Sequence, residues 1–280
     1  MITSTFTFSD GTTTLYYEAD SQVGSSVETV ILGVHGMTTD LDGWLALANN
    51  LTVLAPVDIH LPIMRGYTNK ESYKGDIPAH NQYDLDLEEI IEELGYEYSR
   101  IILIGHSAGA GNVARVLINT KTTASKLEAV CFAAPLFHPS SSVPKNRKKD
   151  TDWDMYYQRA VFYRFLERVN PWFRGKGAVM KIPLREIPYE EDSPLADYEL
   201  SYRLFMGRFI NPSLLAQLQQ LRNASVWIGA EDDVVNTEKL KTNLEKSTET
   251  KISVIENEDH HSILTNPEFM RYIIETVGVK

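Results

Sequence analysis

The sequence predicts an α/β fold: a mostly parallel, doubly wound sheet with an antiparallel hairpin at its start and a mainly helical segment inserted late. Three observations predict it. Short apolar runs without alternation recur along the chain, as expected of strands buried on both faces. Helical periodicity fills several of the intervals between them. From about residue 139 to residue 223 that rhythm stops, and the composition turns aromatic and charged.

Two β-rich runs at 5–8 and 14–17 flank Asp10-Gly11 and read as a hairpin. The apolar run 29–34 follows and ends in His35-Gly36. Further buried-strand runs lie at 52–57, 101–105, 127–134, 224–229 and 251–255. Leu87, Ile90, Ile91 and Leu94 recur at i, i+3, i+4, i+7 and predict a helix with Gly95 as its stop. Ala110, Val113, Ala114 and Leu117 repeat that pattern, and 267–277 reads as a closing helix. Between 139 and 222 a basic cluster, Lys145 to Lys149, precedes Trp153, Tyr156, Tyr157, Phe162, Tyr163, Phe165, Trp172 and Phe173. A connection of that length carries structure of its own. It reads as a mainly helical cap over the ligand-binding edge of a core formed by 1–138 and 223–280.

A chain of 280 residues of this kind folds as one unit and buries enough surface to need no disulfide or metal staple. Its single cysteine, Cys131, excludes an intramolecular disulfide and a Cys-rich metal site, and it lies in an apolar strand run that suits the core. The amino terminus shows neither a basic nor an apolar signal region, and no apolar stretch approaches the roughly 20 residues that cross a bilayer. A cytoplasmic protein without an integral membrane segment is the expectation. The net charge of −11 argues against a nucleic-acid partner, which needs a basic face. No glycine-rich dinucleotide or phosphate fingerprint is present, so no cofactor is expected.

The apolar run 101–104 leads directly into Gly105-His106-Ser107-Ala108-Gly109, and a helical pattern follows. This is G-x-S-x-G in the strand–turn–helix setting of a nucleophile elbow. The turn demands small residues beside the serine, strains its backbone, and sets helix-start amides where an oxyanion would develop. The alternative is an ordinary turn whose serine caps the helix.

On these residues the chain resembles the α/β-hydrolase superfamily, near the branch of monoacylglycerol lipases, lysophospholipases and related carboxylesterases. The likeness covers roughly 25–135 and 222–277. It implies Ser107 as nucleophile. Val34-His35-Gly36-Met37 resembles the family's H-G-x segment, which implies the backbone N–H groups of Met37 and Ala108 as oxyanion donors. A serine nucleophile needs a base and an orienting carboxylate, in this fold in the order Ser, Asp, His. The family form G-x-x-D-x-V-V selects Asp232 in the segment after 226–229, although spacing alone does not exclude Glu231 or Asp233. The base is one of His260 and His261, and His261, followed by Ile263 and Leu264, fits the family pattern better. The adjacent Glu256, Glu258 and Asp259 lack the spacing of a helix-borne zinc site, so no metal is expected.

One segment departs from the family. Where a D-x-R-G-H-G-x-S type stretch is usual, the chain keeps Arg65-Gly66 but not the histidine and glycine after it. Gly75-Asp76-Ile77-Pro78 and Tyr83-Asp84-Leu85-Asp86 again look familiar. The aromatic cap suits a small-molecule ester with an apolar acyl group. The acidic run Tyr189 to Asp192 could instead meet a substrate amine, but suits a solvated face better. A peptidase, thioesterase or acyltransferase on the same triad, and a ligand-binding protein with little turnover, are the competing readings.

Overall fold

The computed structural model describes residues 2–24, 26–39, 41–67, 73–119, 127–139, 154–183, 197–220, 223–247 and 250–278. In chain order the elements before the insertion are β1 (Ile2–Thr7), β2 (Thr13–Ala19), β3 (Thr29–Val34), α1 (Asp42–Leu54), β4 (Val57–Pro62), α2 (Gln82–Glu97), β5 (Arg100–His106), α3 (Ala108–Asn119) and β6 (Leu127–Ala133). The insertion holds β7 (Asp154–Met155), α4 (Tyr157–Val169), β8 (Ala178–Pro183), β9 (Asp197–Ser201) and α5 (Tyr202–Gly207). The chain then returns through β10 (Ala224–Gly229), α6 (Thr237–Ser247), β11 (Lys251–Ile255) and α7 (Pro267–Val277).

Eight strands form one sheet in the order β1-β2-β4-β3-β5-β6-β10-β11. Only β1 with β2 and β2 with β4 pair antiparallel; the other five pairings are parallel. β3 and β5 lie at the centre, and their Val30, Ile31, Leu32, Ile102 and Ile104 are inaccessible, as strands covered on both faces must be. Every strand from β3 onward in this sheet therefore points its carboxyl end toward one edge, where the loops carrying chemistry collect.

Two expectations are corrected. Residues 52–57 are not a strand: α1 runs through Leu54, and β4 begins at Val57. Trp44, Leu47, Ala48 and Leu51 form the buried face of α1, and its helical period outweighs the local β-branched composition. Pro56 ends the helix by forcing Ala55 into extended geometry. Likewise α2 passes through Gly95 and ends at Glu97, because its buried stripe of Leu87, Ile90, Ile91 and Leu94 holds the last turn.

β6 and β10 are neighbours in the sheet, so the chain leaves and re-enters it between adjacent strands. Besides its helices the insertion carries an antiparallel sheet, β7-β8-β9, which no periodicity in the sequence predicted. Its aromatic residues divide. Tyr163, Phe173 and Tyr202 pack on one another, with centroids 5.1–5.9 Å apart. Phe162, Phe165 and Trp172 face outward. The Lys145 to Lys149 cluster, Trp153 and the Tyr189 to Asp192 run lie outside the described residues.

Three arginine–carboxylate forks brace the stretch from the end of β4 to α3. Buried Arg65 donates to both oxygens of Asp86 at 2.8 and 3.0 Å and to Asp10 at 2.9 Å. Arg115 of α3 grips Asp84 of α2, with both bonds at 2.9 Å. Arg203 of α5 grips Asp76 at 2.5 and 2.7 Å, tying the insertion to the loop after β4. Such bidentate pairs fix orientation as well as distance. Among the described residues no helix is long and apolar enough to cross a membrane.

Candidate active site

Ser107 sits between β5 and α3 with φ +53°, the left-handed region that a non-glycine residue rarely adopts. The turn is tight enough to explain its glycines. A Cβ on Gly105 would lie 2.6 Å from the Ala110 Cα, and one on Gly109 2.1 Å from the Val34 carbonyl oxygen. The serine backbone is fastened on both sides: its N–H donates to the Ala133 carbonyl, and its own carbonyl accepts from Ala110 and Leu136.

Asp232 follows β10. Its Oδ1 accepts the amides of Val234 at 2.9 Å and Val235 at 2.7 Å, which leaves Oδ2 aimed inward. Glu231 and Asp233 are exposed. The structure thus brings Asp232, not its neighbours, toward Ser107.

The histidine that meets Ser107 is His260, which corrects the expectation of His261. The His260 Nε2 lies 2.9 Å from Ser107 Oγ, and its Nδ1 lies 2.9 Å from Asp232 Oδ2. A carboxylate only accepts, so Nδ1 carries the proton and Nε2 is left to receive one from the serine. The loop between β11 and α7 decides which histidine turns inward. Asp259 Oδ1 accepts the amides of His261 and Ser262, each at 2.8 Å. The His260 carbonyl accepts from the buried His106 Nε2 at 2.8 Å. Pinned on both sides, His260 is 3% exposed, whereas His261 is exposed at the cavity mouth. No one-residue spacing rule in the sequence distinguishes these two arrangements.

His106 occupies the variable position of G-x-S-x-G, where the motif carries no signal for its identity. Burial, together with the neighbouring His260, holds it well below the ordinary histidine range, so it stays neutral and donates from Nε2. His35 is also neutral: burial and the nearby Arg208 push its pKa down to about 3. Its Nδ1 donates to the Gly36 carbonyl at 2.7 Å, and its Nε2 accepts the Met64 amide at 2.9 Å.

The His35-Gly36-Met37 loop lies directly on the serine. A Cβ on Gly36 would be 3.0 Å from Ser107 Cβ, a tight contact, and Met37 comes next on the cavity wall. Ala108 is the first residue of α3, whose opening amides have no partner within the helix. Above Ser107 is a cavity of about 200 Å³. Leu136, Met155, Met180, Phe205, Phe209 and Val234 give it an apolar lining, four of them from the insertion. Cys131 is not involved: it is fully buried in β6, and burial raises its thiol to about 12.

A family model, Hydrolase_4 (serine aminopeptidase, S33), matches residues 25–268. The chain belongs to that family. It is a serine hydrolase with the α/β-hydrolase fold. No curated protein matches it by sequence. Solved structures share its fold across nearly the whole chain. A soluble variant of monoglyceride lipase from Saccharomyces cerevisiae, in complex with a substrate analogue, superposes with a TM-score of 0.65 at 16% identity, covering 97% of this chain and 92% of the other. The monoacylglycerol lipase of Paleococcus ferrophilus gives a TM-score of 0.65 at 21% identity, covering 94% and 98%. The esterase EaEST of Exiguobacterium antarcticum gives 0.64 at 17% identity, covering 99% and 100%.

Proposed function

We propose that this serine hydrolase cleaves small-molecule carboxylic esters with an apolar acyl group, a monoacylglycerol or lysophospholipid being the natural class. The observation that carries this reading is the unbroken chain Ser107–His260–Asp232, with both contacts at 2.9 Å, at the floor of an apolar cavity. His260 takes the Ser107 proton as Oγ attacks the ester carbonyl. The amides of Met37 and Ala108 hold the resulting oxyanion. His260⁺ then protonates the leaving alcohol, and water, deprotonated by the same imidazole, releases the acid from the acyl-enzyme. Asp232 keeps the productive tautomer and stabilises the cation.

The cavity over Ser107 is lined mainly by apolar side chains, which suits an acyl chain. The family description also raises peptide cleavage from a free amino terminus, which requires a carboxylate to meet the substrate ammonium. Among the described residues the cavity-lining side chains are mainly apolar, which favours the ester.

The test is fluorophosphonate labelling followed by intact mass, beside Ser107→Ala, with a p-nitrophenyl ester series from two to sixteen carbons and an aminoacyl-p-nitroanilide. One adduct on the native chain alone, with esters turned over faster than the anilide, is expected. Anilide turnover exceeding every ester would transfer the assignment to a peptidase. A folded chain without adduct or turnover would leave a ligand-binding protein.

A further inference from the structure

Arg208, one residue past α5, is wholly inaccessible, and among the described residues no carboxylate pairs with it. An unpaired buried cation is costly and calls for a reason. Its guanidinium lies 5.3 Å from the Tyr67 ring centroid and 5.4 Å from that of Tyr83, which accounts for part of its accommodation. Among the described residues Nε and Nη1 have no hydrogen-bond partner. Its Nη2 donates to the His35 carbonyl at 2.5 Å and to the Gly36 carbonyl at 2.8 Å.

The Gly36 oxygen therefore receives two donors, Arg208 Nη2 and His35 Nδ1. That oxygen and the Met37 N–H belong to one planar trans peptide and point opposite ways. Whatever holds the oxygen aims the N–H. A positive charge on the oxygen side also polarises the peptide, which makes its N–H a stronger donor in a low-dielectric setting. A neutral side chain could tie the loop; only a cation also loads it.

The strut is itself anchored to α3, the helix that begins at Ala108. Asn112 Nδ2 donates to the Gly207 carbonyl at 3.1 Å and Arg115 Nη1 to the Phe209 carbonyl at 3.2 Å. A Cβ on Gly111 would lie 2.2 Å from the Arg208 carbonyl oxygen. The Arg208 backbone and the Ala108 amide are thus referenced to one helix.

We propose that Arg208 is a positioning residue for the oxyanion hole, reaching from the insertion to orient the Gly36–Met37 peptide and strengthen the Met37 N–H. This rests on the ester-hydrolase reading above. The experiment compares the full-length native chain, Arg208→Met, Arg208→Lys and Ser107→Ala on a matched oxo-ester and thiono-ester. The thiono sulfur is a poor acceptor and gains little from an oxyanion donor. Removing one donor outright costs about 100- to 1,000-fold, so Arg208→Met is expected to lower oxo-ester kcat by about 10- to 100-fold. KM should change little, and the oxo/thiono rate ratio should fall with kcat. Arg208→Lys, which retains the charge, should recover part of both.

A folded Arg208→Met with native kcat, or with equal losses on the two esters, overturns the proposal. If Arg208→Met does not fold, Arg208→Lys carries the test, and an unchanged oxo/thiono ratio in it overturns the proposal. Native chain inactive on both esters, or Ser107→Ala as active as native, identifies failure of the hydrolase reading instead, and the Arg208 role falls with it.

Discussion

Replacing His260 or His261 by glutamine, one at a time, separates the two histidines that are adjacent in the chain and opposite in the structure. His260 Nε2 is 2.9 Å from the Ser107 oxygen that it deprotonates in the proposed mechanism. General-base catalysis alone is worth about 100- to 10,000-fold, and losing the histidine of a serine triad outright costs about 10⁶-fold. His260→Gln should therefore lower kcat by about 10⁴- to 10⁶-fold, a rise of about 5–8 kcal/mol in the barrier. His261 is exposed at the mouth, and its replacement should change kcat/KM by less than about tenfold, or about 1.4 kcal/mol. The assay is steady-state hydrolysis of a medium-chain p-nitrophenyl ester, with fluorophosphonate labelling rate as the second readout. An inactive His261→Gln beside an active His260→Gln would refute the reasoning, including the role given to Asp259 and His106 in turning the loop.

Three other outcomes are expected. Ser107→Gly should raise unfolding free energy by about 1 kcal/mol, because glycine relieves a left-handed φ of this kind; a lower denaturant midpoint would mean that the elbow is not strained. Asp86→Ala should cost about 3–5 kcal/mol by leaving Arg65 buried with Asp10 alone, and a loss under about 1 kcal/mol in urea unfolding would contradict that. His35 has a folded pKa of about 3 against 6.5 unfolded, so between those values the unfolded chain binds the proton and the native chain does not. Stability is thus lost as pH falls below about 6.5, by about 2 kcal/mol for this histidine between pH 7 and 5. His35→Asn should show that much less loss over the same interval, and an identical slope would show that His35 is protonated in the native state.

Much of the fold was legible because it is written in local periods. The run at 29–34 is buried on both faces, and both its bounds and those of 224–229, 251–255 and 267–277 coincide with the elements formed. The run at 52–57 misled because β-branched composition is a local signal, whereas the Trp44, Leu47, Ala48, Leu51 stripe that buries α1 acts over three turns. The sheet β7-β8-β9 was illegible for a related reason: its strands are short and pair with one another rather than with the long apolar sheet.

The site divides the same way. Ser107 was readable alone, since an elbow requires small neighbours at fixed offsets, and van der Waals contact enforces that on any chain. The sequence by itself determined the parallel sheet and pointed to Ser107 at the elbow and, through the family form, to Asp232. Only the tertiary structure decided which acid and which histidine turn inward, because that choice is made by amides of Val234 and Val235, the side chain of Asp259 and a ring nitrogen of His106. Only it revealed Arg208, whose partners His35 and Gly36 stand more than 170 residues away in the chain. Hydrogen bonds between such distant residues leave no period or spacing in a single sequence; they exist once the sheet has brought its loops to one edge.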